Sequence, residues 1–154
     1  MTHTAFLALG SNLGDREHYL RFAVNELAGV VAMSQVFETA PVGGPDDQGA
    51  YLNMVVKVET PLAPYEFIHR CQRIEEDAQR QRVVHWGPRT LDIDLLFYDD
   101  LHIESDTLTI PHPRITERRF VLAPLSEIAP ELCPDGWEGN LPPAEILPRG
   151  ALRL

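Results

Sequence analysis

Two aspartates separated by one residue carry the strongest chemical signal in this sequence. They end the segment Trp86-Gly-Pro-Arg-Thr-Leu-Asp-Ile-Asp94, and the alternation of residue types over 91–98 predicts a β-strand. On a strand, Asp92 and Asp94 point to the same face, about 6.6 Å apart. The opposite, buried face is predicted to hold Ile93, Leu95 and Phe97. Two carboxylates on one face repel each other, and a hard divalent cation such as Mg²⁺ relieves that repulsion. The pair therefore predicts a metal site, the alternative being a solvent-facing pair at a sheet edge.

The basic residues are concentrated near this segment, although the chain as a whole is acidic. The formal net charge is −10, with 13 lysine and arginine residues. Eight of the arginines fall in two short windows: Arg70, Arg73, Arg80, Arg82 and Arg89, then Arg114, Arg118 and Arg119. Arginine forks bind phosphate oxygens two at a time, so the clusters predict a small polyphosphate ligand. The alternative is that Arg80 and Arg82 form ion pairs with acidic residues of a helix surface. The acidic total argues against a general nucleic-acid or membrane binder.

Aromatic and amide residues next to polar turns form a second group of candidates. These are Tyr51, Asn53, Trp86 and Phe120. Flat rings suit a flat heteroaromatic ligand by stacking, and an asparagine amide pairs with ring nitrogens and carbonyls. Each residue alone is also compatible with an ordinary core position.

The elements that position these residues follow from periodicity and turn signals. Strands are predicted at 4–9, 31–39, 51–59 and 91–98, and helices at 16–28, with Asp15 as N-cap, and at 64–80. The order β-α-β-β-α-β predicts a ferredoxin-like α+β core, an antiparallel sheet with both helices on one face. Short extended pieces near 101–103 and 107–110, a helix at about 119–128 containing Pro124, and an irregular tail from about 130 complete the expected fold.

Length and composition bound the remaining possibilities. A chain of 154 residues predicts a single domain over 1–154. We expect no membrane span and no signal peptide, and therefore a cytoplasmic location. Cys71 and Cys133 stand alone without metal-ligand spacing, so both are interpreted as reduced thiols without function.

Together these segments resemble one family, the 6-hydroxymethyl-7,8-dihydropterin pyrophosphokinases of folate biosynthesis. The resemblance runs from about Phe6 to Leu132. It rests on Leu9-Gly-Ser-Asn-Leu-Gly-Asp15, Ala50-Tyr-Leu-Asn53, Gln72-Arg-Ile-Glu75, the Trp86–Leu96 segment, Leu108-Thr-Ile-Pro-His112, Arg118-Arg-Phe120 and Pro124-Leu-Ser-Glu-Ile-Ala-Pro130. The chain departs from the family's pattern at Gln79, His85, Pro113 and Arg119.

The resemblance implies transfer of pyrophosphate from ATP to the hydroxymethyl group of a reduced pterin, with release of AMP. It implies that Asp92 and Asp94 hold two Mg²⁺ ions, and that Arg80, Arg82 and Arg89 grip phosphates. The implied pterin contacts are Thr39, Val42, Tyr51, Asn53, Trp86 and Phe120. The implied ATP contacts are Gln72, Glu75, Arg82, Trp86, Arg89, Leu95, Thr109, His112 and Arg118. We expect ATP and the reduced pterin as the only partners, and a monomer.

Two other functions stay open from the sequence. One is a paralogue that keeps the fold and the metal pair but acts on another small alcohol. The other is a non-catalytic ferredoxin-like ligand-binding module, which the aspartate pair and the arginines disfavour.

Overall fold

A computed structural model describes residues 2–12, 15–39, 50–80, 90–141 and 146–154. The strands are β1 (His3–Ser11), β2 (Val30–Met33), β3 (Val36–Thr39), β4 (Tyr51–Thr60), β5 (Asp92–Tyr98), β6 (Ile103–Glu104), β7 (Thr109–Ile110) and β8 (Ile146–Gly150). The α-helices are α1 (Arg16–Leu27), α2 (Pro64–Arg80), α3 (Arg119–Ile128) and α4 (Trp137–Asn140), and 3₁₀ turns lie at Ile115–Glu117 and Pro130–Leu132.

An antiparallel sheet in the order β5-β1-β4-β3-β8 forms the centre of the molecule, with β2 also paired to β4. This confirms the predicted ferredoxin-like core. The expected strand at 31–39 is two strands, because the chain leaves the regular ladder at Ser34 and Gln35. There, the Ser34 hydroxyl accepts the N–H of Val55 at 2.9 Å. The carboxylate of Glu127 in α3 accepts hydrogen bonds from the backbone N–H and from the side-chain amide of Gln35.

Helices cover both faces of the sheet. Helices α1 and α2 pack on one face over a core that includes Leu7, Leu20 and Phe67. Helix α3 packs on the other face, over a smaller core around Val55, Leu122 and Leu125. Asp15 is the predicted N-cap of α1, and its carboxylate accepts the N–H of His18. The bounds of α2 and α3 are those predicted.

A β-bulge interrupts β5, the edge strand that carries the two aspartates. Residues 92–95 pair with β1 in one register, and Phe97 and Tyr98 pair in a register shifted by one, so Leu96 is the additional residue. As a result Ile93, Leu95 and Tyr98 join the core under α1 and α2. The prediction that Phe97 shares the face of Ile93 is wrong, because Phe97 packs against the core under α3.

The C-terminal region contains more regular structure than its prolines predict. Residues 146–150 form β8, which pairs with β3, so the prediction of an irregular tail is wrong for this segment. Pro148 lies inside β8, opposite Phe37. A proline is compatible with a strand at the edge of a sheet, since that strand needs hydrogen bonds on one side only.

The helices bear on the expectation of no membrane span, and the two cysteines bear on the expectation of reduced thiols. Among the described residues, no helix has the length and apolar character to span a bilayer. Cys71 and Cys133 are both free. Burial, with a smaller effect of the Glu75 charge, raises the pKa of the Cys71 thiol to about 12, so this thiol stays protonated at neutral pH.

Candidate active site

Asp92 and Asp94 lie where two cavities meet. Both are half-buried on β5 and pair in register with Gly10 and Ala8 of β1. One cavity has a volume of about 600 Å³ and the other of about 620 Å³. Both are lined by the two aspartates and by Arg118. Two molecules, one in each cavity, would therefore meet at the carboxylates.

The first cavity, here the aromatic cavity, holds the residues expected to bind a flat ring. Thr39, Tyr51, Asn53 and Phe120 line it. Three of them come from the β3–β4 pair, and Phe120 comes from the first turn of α3. The cavity thus forms because α3 packs on the sheet face opposite α1 and α2. Ring and amide groups around one space suit a planar heterocycle.

The amide of Asn53 has a defined orientation within this cavity. Asn53 is 8% exposed, and its Nδ2 donates to the Thr39 hydroxyl at 2.8 Å. Its Oδ1 lies towards Gly10 on the neighbouring strand, where a Cβ would approach that oxygen to 3.1 Å. One hydrogen bond therefore holds the donor side of the amide towards β3 and the acceptor side towards β1. Glycine at position 10 leaves the oxygen room.

The second cavity, here the polar cavity, brings together all the described residues that were predicted to contact ATP. These are Gln72, Glu75, Leu95, Thr109, His112 and Arg118. They come from α2, β5, β7 and the segments that follow β7. Donors, acceptors and one guanidinium around this space suit a nucleotide with its phosphates directed at Asp92 and Asp94.

Glu75 also has a structural contact that the sequence did not indicate. Its Oε2 accepts the N–H of Ile93 at 2.8 Å. Ile93 lies between the two aspartates on the edge strand, and its N–H points away from β1. The carboxylate thus satisfies a donor that the sheet leaves unpaired and ties α2 to the backbone of the aspartate pair.

His112 enters the polar cavity as a neutral ring. Its Nδ1 accepts the N–H of Arg114 at 3.2 Å, which leaves the proton on Nε2. Burial lowers the pKa of His112 below its ordinary value, and the charges of Arg118 and Arg114 act in the same direction, against Asp94. The ring therefore offers an N–H donor to an anionic ligand at neutral pH.

The predicted arginines differ in where they lie. The guanidinium of Arg118 stands 5.7 Å from the centre of the Phe120 ring, so one side chain connects the two cavities. Arg80, with a side chain 71% exposed, forms an ion pair of 2.6 Å with Asp77 and a longer one with Glu76, as the surface interpretation predicts. Four predicted site residues lie outside the described residues: Val42, Arg82, Trp86 and Arg89.

Some residues of the aromatic cavity were missed at the level of the sequence. Arg114, Glu117 and Gly10 line it but are not among the residues implied to contact the pterin. Arg114 belongs to the second arginine window, which was the available signal. Gly10 belongs to the Leu9–Asp15 segment that carries the family resemblance. Glu117 has no such signal, because its place depends on the 3₁₀ turn.

The donor set fits Mg²⁺ bound together with a substrate. Within the described ranges, no group of three or more His, Cys, Asp or Glu side chains is placed to hold a metal ion. An ion at Asp92 and Asp94 would complete its coordination with water and substrate oxygens. Mg²⁺ is commonly bound in this way, by one or two carboxylates plus phosphates.

Several known proteins are similar in sequence to this chain. Residues 6–130 match the model of the 7,8-dihydro-6-hydroxymethylpterin-pyrophosphokinase (HPPK) family. A 2-amino-4-hydroxy-6-hydroxymethyldihydropteridine pyrophosphokinase of Bacillus subtilis is 47% identical over 137 residues, covering 86% of this chain and 81% of its own length. The protein of the same name from Methylorubrum extorquens is 40% identical over 155 residues, covering 97% and 98%.

Solved structures support the fold. The wild-type HPPK-DHPS of Plasmodium falciparum is similar with a TM-score of 0.61 and 16% sequence identity. The match covers 82% of this chain and 41% of that chain. An HPPK-DHPS in complex with substrates gives a TM-score of 0.65 at 14% identity, covering 84% and 40%.

Proposed function

This chain belongs to the 7,8-dihydro-6-hydroxymethylpterin-pyrophosphokinase family, and from that premise we propose how its residues carry out the reaction. The enzyme transfers pyrophosphate from ATP to the hydroxymethyl group of 6-hydroxymethyl-7,8-dihydropterin, in folate biosynthesis. The observation that carries the residue assignment is the position of Asp92 and Asp94 on the shared wall of two cavities. The reduced pterin occupies the aromatic cavity, and ATP occupies the polar cavity.

In the aromatic cavity, the pterin ring lies between Tyr51 and Phe120. The Asn53 amide bonds the edge of the ring, because its donor and acceptor are held in fixed directions by Thr39. Backbone groups near Thr39 and Val42 contribute further hydrogen bonds, and Trp86 contacts the ring, as the family resemblance implies. This pose directs the hydroxymethyl group at the carboxylate pair.

In the polar cavity, Gln72, Glu75, Leu95 and Thr109 contact the nucleoside, and His112 and Arg118 contact the phosphates. The Nε2–H of His112 is a donor without a charge, and Arg118 supplies a fork next to the pterin ring. Arg82 and Arg89 bind the phosphates while negative charge moves between their oxygens during the transfer. Arg80 joins them only if its ion pair with Asp77 opens.

The reaction is a displacement at the β-phosphorus of ATP. The hydroxyl oxygen of the pterin loses its proton to water and forms a bond to that phosphorus. The bond to the oxygen bridging the α- and β-phosphates breaks, and AMP leaves with that oxygen. Asp92 and Asp94 would hold two Mg²⁺ ions, which would neutralise phosphate charge and lower the pKa of the attacking hydroxyl. The arginines stabilise negative charge on the equatorial oxygens.

The test is direct. The protein is mixed with ATP, Mg²⁺ and 6-hydroxymethyl-7,8-dihydropterin, and the products are quantified by chromatography. AMP and pterin diphosphate in equal amounts are expected, with neither formed when the pterin or Mg²⁺ is omitted. ADP in place of AMP would contradict pyrophosphate transfer. Turnover of another small alcohol but not of the pterin would favour the paralogue, and Mg²⁺-independent binding of an ATP analogue without turnover would favour the binding module.

We also propose that the enzyme acts as a monomeric single domain in the cytoplasm. The sheet that carries both cavities is continuous across the two cores, as expected of a single domain. Two free cysteines are typical of a reducing compartment, where ATP is also available. Sedimentation equilibrium with and without both substrates tests the oligomeric state.

A further inference from the structure

Arg16, the first residue of α1, reaches across to two points of the sheet. Its guanidinium donates to the carbonyl oxygen of Ala50 at 2.7 Å and pairs with the carboxylate of Glu38 at 2.9 Å. The side chains of Arg16 and Glu38 are 29% and 21% exposed, so the ion pair is partly shielded from solvent. These two contacts connect α1, β3 and β4 at one place.

The position of Arg16 is not explained by helix stability. The first turn of a helix carries the positive end of the helix dipole, where acidic residues stabilise and a cation is unfavourable. Its neighbours Asp15 and Glu17 follow that preference, and Arg16 does not. The contacts that offset the unfavourable position are those to Glu38 and Ala50, which lie on the sheet.

The two contacted residues each directly precede a residue of the aromatic cavity. Glu38 precedes Thr39 in β3, and Ala50 precedes Tyr51 in β4. Thr39 and Tyr51 are partners in the terminal pair of the β3–β4 ladder. Terminal pairs fray more readily than central ones, and an additional contact on both strands opposes that opening.

We propose that Arg16 is a positioning residue for the acceptor substrate. Arg16 binds Glu38 and the carbonyl of Ala50, and these two contacts are here called the clip. The clip keeps the terminal Thr39–Tyr51 pair closed. A closed pair keeps Tyr51 in place for stacking and keeps Thr39 in place to orient the Asn53 amide. The proposal rests on the assignment of the aromatic cavity to the pterin. The polar cavity has no residue from β3 or β4, so ATP binding is independent of Arg16.

The kinetic test uses Arg16→Met, Glu38→Gln and the double variant, with Arg21→Met as the matched control. Arg21 lies on the same helix and pairs at 3.7 Å with Glu17, away from the cavities. Arg16→Met should raise the KM for the pterin about five- to thirtyfold, as expected for loss of a partly buried charge-assisted contact. Glu38→Gln keeps an acceptor oxygen and leaves the contact of Arg16 with Ala50, so it should raise this KM by less. The KM for ATP and kcat should stay within about twofold, and the double variant should raise the pterin KM little more than Arg16→Met alone.

Two further variants separate positioning from a general effect on folding. Arg16→Lys keeps the charge but loses the fork, so its effect should be intermediate. The Arg21→Met control should leave both KM values unchanged. An unchanged pterin KM in Arg16→Met, or an equal rise for ATP and the pterin with a lowered melting temperature, would overturn the proposal.

A measurement without substrates keeps this inference apart from the proposed reaction. Amide hydrogen exchange at Thr39 and Tyr51, and the NMR signals of the Asn53 side-chain amide, should change in Arg16→Met and stay the same in Arg21→Met. Unchanged exchange and signals would refute the clip even in an active enzyme. A wild-type protein that forms no AMP would instead refute the function and leave the exchange result to decide on the clip.

Discussion

The Thr39→Val substitution isolates the hydrogen bond that orients Asn53. Valine has nearly the shape of threonine, so the change removes the hydroxyl and little else. The Nδ2 group of Asn53 then loses its acceptor at 2.8 Å while its residue stays 8% exposed. A buried donor left without a partner costs about 1–3 kcal/mol.

The cost falls mainly on the complex with the pterin. In the free enzyme, water from the aromatic cavity reaches the amide and relieves part of the loss. In the proposed complex, the pterin displaces that water and also requires the amide in its original direction. We expect about 1–2 kcal/mol of lost binding, which corresponds to about a 5- to 30-fold weaker pterin affinity.

The assay is isothermal titration with the pterin in the presence of a non-hydrolysable ATP analogue and Mg²⁺, followed by kcat and KM measurements. Thr60→Val is the matched control. Thr60 lies at the other end of β4, is 5% exposed, and its hydroxyl accepts the N–H of Leu62 at 3.2 Å. It should lower stability without changing pterin affinity, and Thr39→Ser should restore most of the affinity. Equal pterin affinity in Thr39→Val and wild type would show that the orientation of Asn53 does not matter for binding.

Three further predictions concern Asp94 of the aspartate pair, Glu75, which bonds the backbone of Ile93, and Asp99 on the surface. Asp94→Ala should abolish AMP formation while the metal-free melting temperature holds or rises, because one of two repelling charges is gone; near-normal AMP at saturating Mg²⁺ would contradict the metal assignment. Glu75→Gln should keep most of kcat and Glu75→Leu should not, since only glutamine retains an acceptor for Ile93; faster amide exchange at Ile93 in the leucine variant alone checks this. The N–H of Thr4 donates to Asp99 and lowers the pKa of this carboxyl below 3.8, its ordinary value. The ionised carboxylate therefore stabilises the fold fully above that pH, and this stabilisation is lost as the pH falls through the pKa of Asp99 in the folded protein. Asp99→Asn should reduce the melting temperature at neutral pH and progressively less in acid, and an equal reduction at every pH would be inconsistent with this linkage.

Local signals in the sequence predict most of the elements and the shared face of the two aspartates. Helix α2 begins at Pro64 and ends at Arg80 as predicted, because a proline in the first turn and a regular apolar face are strong local signals. The same-face placement of Asp92 and Asp94 depends only on the period of a strand. The assignment of residues to the two cavities came from the family resemblance, which reflects many positions at once.

The predicted and observed elements differ where contacts between residues distant in sequence determine the structure. The chain leaves its strand at Ser34–Gln35 because Glu127, 92 residues further on, binds Gln35. Strand β8 forms beside β3 although Pro148 disfavours a strand, since the edge of the sheet tolerates a missing donor. Neither contact changes the periodicity of residue types in its own segment, so neither can be predicted from the local sequence pattern.

The bulge at Leu96 affects how this strand tolerates insertions and deletions over evolutionary time. Asp92 and Asp94 must face the cavities, and Tyr98 must face the opposite core, where its hydroxyl bonds the carbonyl of Leu62. A regular strand would send these three side chains to one face, because their spacing is even. Loss of the bulged residue would leave a regular strand in which Asp94 and Tyr98 are an odd number of positions apart, so the carboxylates and the tyrosine would keep their opposite faces. The strand therefore tolerates removal of the bulged residue itself, whereas a regular strand of the present length would place either the carboxylates or the tyrosine on the wrong face.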